Sequence, residues 1–302
     1  MVSQGDDPVQ VVTTSADARI GVVVLTHNRA RELIRTLEQL CTLPERPMIV
    51  VVDNASTDQT ADLLACRFPD LTYLRLPANA GAAGRNAGVR ACPRQYIALC
   101  DDDTWWALGA LRQAADLLDA HRRLAVITAR VLVRKEARVD PTSLEMARSP
   151  LRAPPGLPGA PLLGFLAGAS IVRRSAFLQA GGFQPRLFLG AEERLLAIDL
   201  AAAGWALAYV DELVVHHYPS PQRDAAARLR LLERNRLWIA WLRRPLARAL
   251  RMTARSVQRS RRDPVVRAAL GEALAGLPWA LRHRRVVSVA LEQQLRLIDD
   301  DC

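Results

Sequence analysis

Two uninterrupted β-branched runs near the start of the chain, "IGVVVLT" (Ile20–Thr26) and "MIVVVD" (Met48–Asp53), restrict the fold more than any other feature. A strand with one wet face alternates apolar and polar residues, whereas an unbroken apolar run belongs to a strand covered on both faces. Between them Leu33, Ile34, Leu37 and Leu40 recur at helical spacing and stop before Pro44. The rhythm continues with a helix, "STDQTADLLACRF", capped at Ser56–Thr57, and a strand, "LTYLRL". A Gly-rich turn and helix, the strand "QYIALC", a helix from about Leu108 and the strand "LAVITARVLV" follow. Strands and helices alternating at this spacing predict a parallel sheet with right-handed crossovers. Such sheets bind ligands at the carboxyl ends of their strands. The expected class is α/β, a Rossmann-like, mostly parallel sheet with flanking helices and a C-terminal helical appendage.

Residues 1–17 are polar and unpatterned and predict a mobile tail. Residues 134–163 hold six prolines and no period, which predicts a long functional loop. Order resumes at "GFLAGASIVRRSAFLQAGGF", and a helix over "AEERLLAIDLAAAG" ends at Gly204. "WALAYV" and "LVVHH" read as two strands, and beyond Pro221 the pattern is all helical. The expected division is a tail over 1–17, a sheet domain over 18–220 and an Arg-rich helical region over 221–302.

The 302 residues carry a formal charge of +10, and Lys135 is the only lysine. From Gln222 to Arg285 seventeen arginines face four acids, Asp224, Glu233, Asp263 and Glu272, which is +13 and leaves the rest slightly acidic. A basic C-terminal third suits anionic lipid headgroups, phosphorylated substrates or nucleic acid, or is a solvated helical face. Five cysteines (Cys41, Cys66, Cys92, Cys100, Cys302) show no paired or metal-ligand spacing and suit a reducing compartment. The N-terminus lacks a signal-peptide pattern, and the longest apolar run, "LLGFLAGASIV", is too short to span a bilayer. These features predict a cytoplasmic protein with peripheral contact on the inner face of the membrane, through C-terminal helices carrying Trp238, Trp241 and Trp279. Packing of those tryptophans into a helical core is the alternative. No nucleic-acid partner is expected.

The chemistry-bearing residues cluster at strand ends. The first strand ends in "THNR" (Thr26–Arg29) and the second in "DNAS" (Asp53–Ser56), each able to read a base or ribose edge or to cap the next helix. "NAGAAGRNAGV" (Asn79–Val89) lets backbone approach a ligand, with Arg85 ready for phosphate, although it is neither a GxGxxG nor a Walker loop. "ALCDDDTWW" ends the fourth strand in Asp101, Asp102 and Asp103. On an extended segment Asp101 and Asp103 share one side and Asp102 faces away, an arrangement for Mg2+ or Mn2+ or for capping the next helix. Glu192 and Glu193 open a helix, where the dipole favours them or where one serves as a general base. His216 and His217 end a strand on opposite faces, so at most one faces a shared site.

In this order, these segments resemble the family 2 glycosyltransferases of GT-A fold, from about Ile20 to Ser220. The resemblance implies an inverting, metal-dependent transfer of a sugar from a nucleotide-sugar donor to a hydroxyl acceptor, a glycan or a lipid-linked glycan of the cell envelope. It implies that Thr26, Asn28, Arg29, Asp53 and Asn54 hold the nucleoside, with Asp53 on the base. Gly81, Arg85 and Asn86 would line the ribose and diphosphate path. Asp101 and Asp102 would lie near ribose and sugar. Asp103 would bind Mn2+ or Mg2+ with His217, or with His216 in its place, and Asp101 would reach the ion through water. Glu193 falls at the catalytic base, with Glu192 as the alternative. Two departures stand out: Glu–Glu replaces the usual Glu–Asp, and Leu195 and Asp199 replace the Asp and Arg of the pattern that follows. Rival readings are a non-catalytic nucleotide- or anion-binding module and a nucleotidyltransferase.

Overall fold

The computed structural model describes residues 16–219 and 225–300. The tail expected over 1–17 therefore lies, apart from its last two residues, outside the described residues, as does the boundary near Pro221. β1 (Ile20–Thr26), β2 (Met48–Asp53), β3 (Thr72–Arg75) and β4 (Tyr96–Asp101) pair in parallel in the order β3-β2-β1-β4. The crossovers are α1 (Ala30–Cys41), α2 (Thr60–Arg67) and α3 (Arg85–Ala91). Side chains alternate along these strands: Val22 and Val24 pack with Leu33 and Leu37 on one face, and Val23 and Val50 pack with Val89 on the other. That two-sided burial is why the runs carry no polar alternation.

The other half of the sheet is mixed. It contains β5 (Thr104–Trp106), β6 (Leu124–Val133) after α4 (Ala110–Ala120), β7 (Arg138–Val139), β8 (Ala160–Pro161), β9 (Ser170–Arg173) and β10 (Ala206–His217). Helices α5 (Pro141–Ala147), α6 (Arg174–Gln179) and α7 (Glu192–Ala202) complete this part. The strand order continues β4-β9-β6-β10-β5. β9 lies antiparallel between β4 and β6, so the parallel run expected to pass from the fourth strand to "LAVITARVLV" is interrupted. At the carboxyl edge the Gly168 carbonyl, just before β9, accepts from the Thr104 hydroxyl at 2.8 Å. "WALAYV" and "LVVHH" form one strand, not two; its pairing with β6 slips between Val210 and Val214. The stretch 134–163 is not a bare loop, since β7, β8 and α5 lie within it, α5 starting at Pro141 with Asp140 accepting from the Thr142 amide.

The C-terminal part is helical: α8 (Ala225–Arg243), α9 (Leu246–Ser260), α10 (Pro264–Ala275), α11 (Leu277–Arg282) and α12 (Val289–Asp300). It shares a core with the sheet domain, in which Leu187, Leu195 and Ile198 meet Leu237, Trp238, Leu270 and Leu291. Ion pairs Arg243–Asp199 and Arg194–Asp299 cross the same boundary. Trp238 is buried edge-to-face against Trp279 and donates to the Ala273 carbonyl, and Trp241 donates to Thr253. Trp238 therefore belongs to the helical core, with Trp241 and Trp279 half-buried against it. Among the described residues no helix is long and apolar enough to cross a membrane.

Candidate active site

Register brings the strand ends together. Thr26 pairs with Asp53 and Leu25 with Asp101, so β1, β2 and β4 finish at one line along the carboxyl edge. A cavity of about 590 Å³ opens there, lined among others by Thr26, Arg29, Asn54, Arg85, Asp101 and Glu193.

The three aspartates do not alternate as an extended strand would. β4 ends at Asp101 and the chain turns through Asp102 and Asp103, so the expectation that Asp101 and Asp103 share a side fails. Asp102 and Asp103 instead share the Arg29 guanidinium, at 2.8 and 2.7 Å, while Asp101 pairs with Arg85. Asp102 also accepts from the Thr26 hydroxyl at 2.9 Å. Burial pushes the Asp102 carboxyl up to about 8. Burial also acts against the Asp103 carboxylate, but His217 and Arg29 outweigh it and hold that group at about 2. Helix capping does not account for the cluster: α4 begins after Gly109, with no side-chain cap.

His217 Nε2 lies 3.6 Å from Asp103 Oδ1. His216 stacks on Trp105 at 5.9 Å and points elsewhere, and Trp105 stacks in turn on Tyr218. Trp106 is core. The two tryptophans after the aspartates thus brace the strand pairing beside the site, through a β5 too short to show in the sequence pattern.

A carboxylate oxygen and an imidazole nitrogen on one ion, each about 2.1 Å from it, sit roughly 3 Å apart. The Asp103–His217 pair fits that spacing with little movement. Among the described residues no three His, Cys, Asp or Glu side chains converge on a point. A hard cation here would therefore draw further oxygens from a substrate diphosphate, as Mg2+ commonly does.

The remaining expected residues divide into two groups. Asn54 lines the cavity while its amide donates to the Gly81 carbonyl at 2.9 Å. Gly81 also lines it, at φ +58°, where an added Cβ would sit 2.1 Å from the Phe188 carbonyl oxygen. Three others are spent on the fold and do not reach the cavity. Asn28, at φ 53°, accepts from the Thr57 amide. Asp53, fully buried, accepts from the Ser56 amide and the Tyr73 hydroxyl. Asn86 is bonded at both ends of its amide to the Phe183 backbone, so its expected place on the diphosphate path gives way to a structural one.

Glu192 and Glu193 start α7 on the far wall, after strained backbone at Phe188 (φ 61°) and Ala191 (φ 64°). Glu192 is buried and its Oε2 has no partner. Burial, then the charge of Glu193, pushes the Glu192 carboxyl up to about 8. Burial raises Glu193 as well, with Arg85 opposing. Glu193 is the more exposed of the two. Both carboxyls thus favour their protonated forms, and the crowded pair titrates together.

His27, Thr142 and Arg228 also line the cavity and were not singled out from the sequence. His27 lay within the quoted "THNR", and Arg228 was one arginine among seventeen. Nothing local distinguishes them.

Residues 21–180 match the family described as Glycosyl transferase family 2. The chain is 28% identical over 293 residues to the N-acetylglucosaminyl-diphospho-decaprenol L-rhamnosyltransferase of Mycobacterium tuberculosis, covering 80% of this chain and 95% of that protein. It is similar to the mannosyltransferase PcManGT from Pyrobaculum calidifontis solved with GDP-Man and Mn2+, at TM-score 0.57 and 20% identity over 98% of this chain and 79% of that one. S. aureus TarS 1–349 in complex with UDP-GlcNAc gives TM-score 0.56 and 16% identity, over 92% and 91%.

Proposed function

The chain belongs to the family 2 glycosyltransferases, with their GT-A fold, and we propose that it is an inverting, metal-dependent enzyme moving a sugar from a nucleotide-diphosphate sugar to a hydroxyl of a lipid-linked cell-envelope glycan. One observation carries the reading: Arg29, Arg85, Asp101, Asp102, His217 and Glu193 meet around a single cavity, with Asp103 behind them on Arg29. The Mycobacterium tuberculosis relative's printed name supports the lipid-linked acceptor, and the donors bound to the solved neighbours support a nucleotide sugar.

In this mechanism the nucleoside lies along Thr26, His27 and Asn54, and its diphosphate meets Arg29 and Arg85. Mn2+ or Mg2+, when bound, would be held by Asp103 and His217 with Asp101 nearby, and would supply positive charge against the diphosphate leaving group. Glu193 takes the proton of the acceptor hydroxyl. The acceptor oxygen then bonds to the sugar C1 from the face opposite the leaving group. The C1–O bond to the nucleoside diphosphate breaks with its electron pair, and the configuration inverts.

A panel of nucleotide sugars tested for nucleotide release, with Mn2+ and with EDTA, checks this. Release from at least one donor, abolished by EDTA, is expected. Glu193→Gln should cost about 10²–10⁴-fold in kcat, the usual worth of a general base, and Asp103→Ala more. Near-wild-type turnover in both variants would overturn the assignment.

We also place the enzyme peripherally on the inner face of the membrane. The support is α9, whose exposed Leu246, Leu250 and Val257 lie on one side of the helix, with Arg251 and Arg255 toward the other.

A further inference from the structure

A second cavity, of about 690 Å³, lies at the opposite edge of the sheet from the aspartates, where β6 begins at Leu124 and β10 at Ala206. Its size is in the range of small-molecule sites. The proline-rich segment closes one side with Leu151, Pro154 and Leu157, and the first turn of α12 closes another with Ser288 and Leu291. Trp205 and Leu163 add further apolar wall.

The charge of the lining is one-sided. Arg122, Arg123 and Arg152 line the cavity, His121 is beside them, and no Asp or Glu contributes. Several other arginines of this half are ion-paired: Arg234 with Glu272, Arg243 with Asp199, Arg244 with Glu292 and Asp299, Arg248 with Asp299. Among the described residues none of the three cavity arginines is ion-paired. Three unmatched guanidinium groups beside Leu, Pro and Trp surface define a ligand with two parts, an anion and a hydrocarbon body.

We propose that this cavity binds an amphiphilic phosphate: Arg122, Arg123 and Arg152 take the phosphate, and the leucines, prolines and Trp205 cover the attached hydrocarbon. The site is separate from the donor cavity and does not depend on the reading of that cavity. Its ligand is either a free alkyl phosphate or the headgroup region of a phospholipid, which share the same chemistry.

Calorimetric titration of the full chain with octyl phosphate, below its micelle concentration, tests the proposal. Saturable one-to-one binding is expected, with 1-octanol and inorganic phosphate each at least tenfold weaker. The Arg123→Ala/Arg152→Ala double variant should weaken octyl phosphate by about tenfold or more, as removal of charged hydrogen-bond donors does. Ala290→Trp, which keeps every charge but fills the space, should also block binding. Both variants should keep wild-type nucleotide release, since neither touches the donor cavity. Phosphatidylglycerol vesicles distinguish the sources: vesicle binding lost in the double variant assigns a bilayer lipid, and vesicle binding retained while octyl phosphate binding falls assigns a free ligand. Unchanged octyl phosphate affinity in both variants, or octanol binding as tightly as octyl phosphate, overturns the site.

Discussion

Glu192 is a buried carboxyl with an unpartnered oxygen, and its cost to the fold depends on pH. Its ordinary value is 4.5, and burial holds it at about 8 in the folded chain. The folded state therefore binds the proton more tightly than the unfolded state. The contribution to stability is complete below about pH 4.5 and is lost as pH rises toward 8. Glu192→Gln should unfold like wild type at pH 5 and be more stable by about 1–3 kcal/mol at pH 9, the scale of an unsatisfied buried group. Denaturant melts at the two pH values check this; an equal difference at both would rule out titration of Glu192 as the cause. That carboxylates cluster at a strand end and at a helix start was legible in the sequence, because such clusters are rare and costly. What each carboxylate touches was not legible. The chain turns at Asp102, so Arg29 bridges Asp102 and Asp103, and no spacing rule for an extended strand anticipates that.

At the scale of elements, the site depends on the short turn at Gly81–Gly84 locking onto the strained segment before α7. The Ala82 amide donates to the Phe188 carbonyl at 2.7 Å, directly beside Gly81. Gly81→Ala meets both a left-handed φ and a backbone clash, so a loss of about 2–4 kcal/mol and weaker donor binding are expected. Thermal unfolding together with nucleotide titration measures both; a stable variant with normal donor affinity would show that the two segments are not coupled. The long buried strands and α1 were readable because they span enough residues to show a period. β5, β7, β8 and β9 have two to four residues each, which is too few for alternation to register. Their pairing is set by where the chain is delivered, which is a tertiary fact.

For the whole molecule, the helical region is part of the core. A chain ending at residue 224 would expose Leu187, Leu195 and Ile198 and strand Asp199 and Arg194 without their partners. Such a truncation should be insoluble or melt many degrees lower, with light scattering and circular dichroism as readouts; a cooperative, wild-type melt would contradict the shared core. Flotation with anionic liposomes should capture wild type, and Leu246→Asp/Leu250→Asp should reduce capture several-fold while leaving nucleotide release intact. Equal flotation of both would move any membrane contact away from α9. The arginine excess that was plain in the sequence thus divides into two uses. Part is consumed inside the fold by Asp199, Glu272, Glu292 and Asp299, and others, such as Arg251, Arg255, Arg261 and Arg262, are exposed. One design consequence follows from α7, which presents Glu192 and Glu193 at one end and packs Leu195 and Ile198 under the helical region. Chimeras that borrow the last eighty or so residues from another transferase will repack α7 and so shift Glu192 and Glu193 as well, which favours point changes over exchange of modules.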